Sequence, residues 1–138
     1  MPREMATVIL VGAGPGDPWL LTRRAIDCLQ RADVVLYDYL VHPNCLTYCR
    51  DDARLVCVVK RKGYHSKTQT TIHRLMGYYA RRCQLIVRLK GGDPCVFGRG
   101  GEEMTYLRRR GIPFEVVPGV SSVHAVPVYA GIPATYRG

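Results

Sequence analysis

Arg88-Leu-Lys-Gly-Gly-Asp-Pro-Cys-Val-Phe-Gly-Arg-Gly-Gly-Glu-Glu103 is the stretch on which the fold turns. It grows out of an apolar run, Gln84–Leu89 (QLIVRL), short and β-branched enough to be a buried strand. The strand enters a Gly-Gly-Asp-Pro turn and a Gly-Arg-Gly-Gly loop. A helical segment, Gly101–Arg110, follows and is ended by Gly111. Strand, glycine loop and helix in that order make one part of a βαβ unit, and ligands of such sheets bind beyond the carboxyl ends of the strands. Asp93 and the neighbouring backbone stand where a cofactor is held, and Arg99 where a guanidinium forks onto a substrate carboxylate. Glu102 and Glu103 have a simpler reading as acids complementing the helix dipole.

Outward from this block the same alternation repeats. Thr7–Gly12 (TVILVG), Asp33–Tyr37 (DVVLY), Arg54–Val59 (RLVCVV) and Pro113–Val117 read as further strands. Asp17-Pro18 offers an N-cap with proline at the first helical position, predicting a helix over Pro18–Arg31 with Leu21, Ala25 and Leu29 inward. His42–Cys49 reads as a short helix. Thr68–Arg82 repeats apolar residues at Ile72, Leu75, Met76 and Tyr79, one helix face. Val120–Ala130 is helical in composition, limited by Pro127. The expected fold is α/β: a parallel five-stranded sheet with helices on both faces.

Composition excludes several functions. The longest apolar run falls well short of the roughly 18 residues of a membrane span, and the N-terminus lacks a signal-peptide pattern. No membrane partner is therefore expected, and the cytoplasm is the expected setting. The net charge of +9 comes from small clusters such as Lys60–Arg61–Lys62 and Arg108–Arg109–Arg110 rather than a dense block with aromatic interleaving. Nucleic acid is not expected as a partner; a polyanionic small substrate is. Six cysteines include no CxxC pair, so neither a metal nor a disulfide framework is expected, and most of the thiols are expected to be buried.

Gly12-Ala13-Gly14-Pro15-Gly16-Asp17 follows the first strand like a dinucleotide fingerprint, but Asp17 occupies the third glycine position and would set a carboxylate where pyrophosphate binds. No Gly-Lys-Ser/Thr follows, which excludes a Walker loop. Val116-Val-Pro-Gly-Val-Ser-Ser122 is another strand end with a glycine turn; Ser121 or Ser122 either caps a helix or meets a ligand. Asp38 lies at the mouth of the second strand and Lys60 just past the third.

Taken in order, VGAGPGDP, YDYLV, KRKGYHS, VRLKGGDPCVFGRGGEE, VVPGVSS and GIPATYRG resemble the uroporphyrinogen-III C-methyltransferase family of tetrapyrrole methylases. The resemblance implies a first α/β domain at residues 1–131 and, at 132–138, the start of a linker toward a second domain that helps close the active-site cleft. It implies S-adenosyl-L-methionine as cofactor, with S-adenosyl-L-homocysteine as its product. The tetrapyrrole substrate, uroporphyrinogen III, is methylated at two ring carbons, through precorrin-1 to precorrin-2. By motif, Pro15, Gly91, Gly92, Asp93, Val96, Ser121 and Ser122 line the cofactor site. Asp38 is the proton acceptor and Lys60 the proton donor, while Arg99, Glu102 and Arg137 meet the substrate. Arg99 is also a rival for proton removal, although a guanidinium is a poor base. The family implies a homodimer. The alternatives are another precorrin methylase, the methylase half of a siroheme synthase, and a non-catalytic cofactor- or tetrapyrrole-binding fragment.

Overall fold

Five parallel strands form the sheet, in the order β3-β2-β4-β1-β5. They are β1 (Thr7–Gly12), β2 (Val34–Asp38), β3 (Arg54–Val59), β4 (Leu85–Lys90) and β5 (Phe114–Val117). Four α-helices accompany them: α1 (Arg23–Arg31), α2 (Gln69–Ala80), α3 (Gly100–Arg109) and α4 (Ser122–Tyr129). The structure, a computed structural model, describes residues 6–59 and 68–138.

The central strands are covered on both sides and largely apolar on both, the buried Arg88 and Lys90 of β4 aside. Ile9 and Val11 of β1 with Val87 and Leu89 of β4 pack toward Ala25, Cys28 and Leu29 of α1. Val8, Leu10 and Ile86 face the other way, toward Ile72 and Met76 of α2 and Leu107 of α3. Helices therefore lie on both faces, as the strand–helix alternation implies. Among the described residues no helix is long and apolar enough to cross a membrane.

β1 and β4 are neighbours, yet the helices that follow them leave for opposite faces of the sheet, α1 to one and α3 to the other. The connections thus diverge between the carboxyl ends of β1 and β4, opening a crevice in which α/β sheets bind ligands.

The expected helix over Pro18–Arg31 is broken in two. Asp17 caps only a short 3-10 turn, Pro18–Leu20, by accepting the Trp19 N–H at 2.9 Å. Leu21 is then extended and turned into the core, and Thr22 starts α1 afresh by accepting the Ala25 N–H at 3.0 Å. Two good caps within six residues outcompeted one continuous helix. The His42–Cys49 segment is likewise a 3-10 helix, Pro43–Tyr48. Of the cysteines, only Cys28 and Cys45 are buried, where desolvation pushes both thiols up; Cys49, Cys57 and Cys83 are half-buried and Cys95 is exposed. Thiols were expected to be mostly buried. They are not, because Cys57 lies on β3, at the edge of the sheet, and Cys95 in a surface turn.

Candidate active site

Three strand ends meet where the crevice opens. Gly14 and Gly92 pair as an antiparallel bridge: the Gly14 N–H donates to Gly92 O at 3.2 Å and the Gly92 N–H to Gly14 O at 2.7 Å. The Ala13 N–H donates to Lys90 O at 2.7 Å. The loop after β5 presses in from the third side. A Cβ on Gly119 would stand 2.2 Å from Gly92 O and 2.7 Å from Gly12 Cα, so glycine is required for this approach.

Asp93 staples the same junction. Its Oδ2 accepts the Gly119 N–H at 3.0 Å and its Oδ1 the Cys95 N–H at 2.8 Å. Carboxylates holding backbone amides in this way are among the stronger hydrogen bonds of a fold. Asp93 thus shapes the cradle, with one further lone pair on each oxygen facing outward.

The cleft above these loops has a volume of about 310 Å³. Pro15, Gly91, Gly92, Asp93, Val96, Ser121 and Ser122, the residues expected at a cofactor, all line it, joined by Leu40 and Phe97. Ser121 both caps α4 and lines the cleft. Its hydroxyl accepts the Val123 N–H at 3.2 Å as the cap of α4, and the hydroxyl proton is left to donate into the cleft.

Asp38 ends β2 beside the cleft without lining it, while its partners Leu40 and Gly91 do line it. It is 9% exposed; its Oδ1 accepts the Leu40 N–H at 3.1 Å and its Oδ2 the Gly91 N–H at 3.4 Å.

Arg99 and Glu102 stand together at the start of α3. Arg99 adopts a left-handed conformation, φ 56°, and its guanidinium forks onto Glu102 through Nε–Oε1 at 3.0 Å and Nη2–Oε2 at 2.7 Å. This pairing raises the Arg99 pKa above the ordinary arginine range, and the same bonds hold the Glu102 carboxyl below its usual range. Both side chains are more than half exposed. Neither is part of the cleft lining, and the fork is occupied by Glu102 rather than left open. Arg137 lies in the exposed tail after α4, apart from the cleft lining. Lys60 lies outside the described residues.

Glu103 does more than complement the dipole from the first turn of α3: it is fully buried and ion-paired to Arg88 at 3.1 Å and Lys90 at 3.0 Å. The signal was present in the sequence. Two cations at alternate positions of a central parallel strand, Arg88 and Lys90, demand a buried counter-charge.

A larger groove, about 780 Å³, lies at the opposite, amino end of the strands. Several of its charged groups are already engaged: Arg50 pairs with Asp33 and Asp52, Asp33 also accepts the N–H groups of Gln84 and Leu85, and Arg82 donates to Tyr78 O. Among the described residues no cluster of histidine, cysteine or acidic side chains is arranged to hold a metal.

The family model for tetrapyrrole (corrin/porphyrin) methylases matches residues 7–138. The chain belongs to this family. Among curated tetrapyrrole methylases, it is 53% identical over 130 residues to the uroporphyrinogen-III C-methyltransferase of Methanocaldococcus jannaschii, covering 94% of this chain and 54% of that protein. It is 53% identical over 135 residues to siroheme synthase 1 of Yersinia enterocolitica, covering 98% of this chain and 29% of that protein. The crystal structure of the Thermus thermophilus uroporphyrin-III C-methyltransferase complexed with S-adenosylhomocysteine superposes with a TM-score of 0.81 at 50% identity, covering 96% of this chain and 55% of that one. This methylase chain thus spans about half the length of the methyltransferases, and less than a third of the siroheme synthase.

Proposed function

We propose that this chain is the cofactor-binding half of a uroporphyrinogen-III C-methyltransferase. The observation that carries the reading is the glycine cradle where the strand connections diverge. All seven residues expected at the cofactor line one cleft there, with the Asp38 carboxylate held against it by the Gly91 N–H. The residues present fit S-adenosyl-L-methionine. Close packing of Gly12 and Gly119 on the Gly92 carbonyl sets the base on which the lining glycines Gly14, Gly91 and Gly92 stand, and the Ser121 hydroxyl supplies a donor. A cleft of about 310 Å³ is at the lower end of the range for small-molecule sites, which suits one wall of a shared site. The relative crystallised with S-adenosylhomocysteine supports the same cofactor here.

The bound cofactor supplies a sulfonium methyl, already a good electrophile. What remains for the protein is positioning, exclusion of water and removal of the ring proton after transfer. Asp38 takes that proton, and where Lys60 delivers one to the ring a second ring proton leaves to solvent, so that each methyl transferred releases one proton net. Arg99 and Glu102 meet the tetrapyrrole from the start of α3, with the Arg99 fork exchanging Glu102 for a substrate carboxylate, and Arg137 joins them from the tail. The charge of +9 suits an octacarboxylic substrate. The reading extends to two successive methylations yielding precorrin-2, carried out by a cytoplasmic homodimer whose second domain follows a linker beginning near residue 132.

Calorimetric titration with S-adenosylhomocysteine tests this on the 138-residue chain alone and on the chain joined to the C-terminal half of the Thermus thermophilus enzyme. Binding by the joined protein, far tighter than by the chain alone, is expected. Binding by neither overturns the reading.

A further inference from the structure

The loop from Asp93 to α3 carries the two non-glycine residues with left-handed backbone among the described residues, Phe97 at φ 50° and Arg99 at φ 56°. For a bulky side chain that conformation is an outlier, and such strain persists only where the surroundings enforce it. Here they do. The Cys95 N–H donates to Asp93 Oδ1 at 2.8 Å, the Gly100 N–H to Pro94 O at 3.0 Å and the Glu102 N–H to Arg99 O at 3.1 Å. Between these ties the chain wraps closely over the Pro94 carbonyl, and a Cβ on either Gly98 or Gly100 would collide with its oxygen.

The loop is thereby held with the Phe97 ring outward. Phe97 is 100% exposed, and among the described residues its ring meets no other ring and no cation. A phenyl group in solvent adds nothing to the stability of this chain, so strain and exposure need another reason. Its location supplies one. Phe97 lines the cofactor cleft and is the most exposed of the large apolar residues there, ahead of Leu40, Val123 and Val96. It therefore stands at the mouth of the cleft, whereas the bridged Gly14 and Gly92 close the base. A methyl acceptor has to approach a cofactor in this cleft from the mouth. A porphyrinogen offers electron-rich pyrrole rings with apolar faces and carboxylates around the rim. Offset or edge-on packing against a phenyl ring suits the first, and a guanidinium fork the second. Phe97 and Arg99 present both groups from one rigid loop, a single glycine apart.

We propose that Phe97 is a specificity-determining residue for the tetrapyrrole: one pyrrole face rests on its ring while Arg99, two residues on, takes a carboxylate at the rim. The proposal rests on the methyltransferase reading above and names how that substrate is seated over the cofactor.

The test compares Phe97→Asn and Phe97→Tyr with the parent joined protein, reading KM for uroporphyrinogen III, kcat, S-adenosylhomocysteine affinity and melting temperature. Asparagine accepts left-handed backbone, so Phe97→Asn removes the ring and keeps the loop. It is expected to raise KM by about 10–100-fold, the loss of one buried phenyl contact, with kcat within about threefold of the parent. S-adenosylhomocysteine affinity stays within about threefold, and the melting temperature is unchanged or higher. Phe97→Tyr keeps the flat ring and holds KM within about threefold of the parent. A KM for Phe97→Asn within about threefold of the parent overturns the proposal, as does Phe97→Tyr raising KM as far as Phe97→Asn. Cofactor affinity that falls in step with KM overturns it by making the ring a cofactor wall. A lowered melting temperature or a failure of Phe97→Asn to fold overturns it by placing the ring against the second domain. A parent without methyl transfer refutes the methyltransferase reading instead, whatever the variants do.

Discussion

Replacing Gly119 by alanine probes the cradle at its tightest point. The added Cβ would meet Gly92 O at 2.2 Å, Gly12 Cα at 2.7 Å and Gly12 C at 2.9 Å, all of them backbone atoms that no rotamer change can remove. Opening the closest contact to ordinary van der Waals distance moves one loop past another by about 1 Å. The Asp93–Gly119 hydrogen bond of 3.0 Å lies on the same path and is stretched with it. A misplacement of that size at a preorganised site costs about 10²-fold. The assay is calorimetric titration of the joined protein with S-adenosylhomocysteine, with Gly101→Ala as control. Gly101 sits in the first turn of α3 with nothing within 4 Å of its would-be Cβ, so alanine there leaves affinity unchanged and stabilises by about 0.5–1 kcal/mol. Gly119→Ala with parent affinity would refute the claim that the close packing of Gly12 and Gly119 on the Gly92 carbonyl shapes the cofactor cleft.

Glu103→Gln strands the Arg88 and Lys90 cations in the interior, and we expect a loss of about 3–5 kcal/mol in urea denaturation; a loss below about 1 kcal/mol would contradict the ion-pair geometry. Asp33→Asn removes the carboxylate that accepts the N–H groups of Gln84 and Leu85 and pairs with Arg50, with an expected loss of about 1–2 kcal/mol at pH 7 after allowance for solvent screening. Burial raises the Asp33 pKa, but the bonds from Leu85, Arg50 and Gln84 outweigh it and hold the group below the ordinary aspartate value of 3.8. Its contribution is therefore present above that value and lost as pH falls through the lower folded-state value, so parent and variant melting temperatures converge in acid. Asp38→Asn in the joined protein abolishes most turnover while S-adenosylhomocysteine affinity persists; full turnover, with Arg99→Lys abolishing it, would move proton removal to Arg99.

Much of the fold was legible because strand period and glycine punctuation act locally. QLIVRL and TVILVG announce strands, and each is followed by a glycine turn that the helix start requires. The split of the first helix was less legible: Asp17-Pro18 and Thr22 are both good starts, and only the burial of Leu21 between them decides that both are used. The cofactor-lining residues were readable as motifs, but their convergence depends on β1 lying beside β4, a topology that no single motif encodes. That Glu103 takes the buried role was not legible because its neighbour Glu102 is the same residue in the same helix turn, and the helix points one outward and the other into the sheet. The contact of Gly12 and Gly119 with the Gly92 carbonyl joins residues far apart in the chain, so no local pattern shows why Gly12 and Gly119 must lack a side chain.

Transfer of labelled methyl from S-adenosylmethionine to uroporphyrinogen III by the joined protein tests the central claim most directly. The account predicts label on ring carbon, two methyl groups per tetrapyrrole at completion, and loss of transfer in Asp38→Asn. A joined protein that folds and binds S-adenosylhomocysteine, yet leaves uroporphyrinogen III unlabelled, would contradict it.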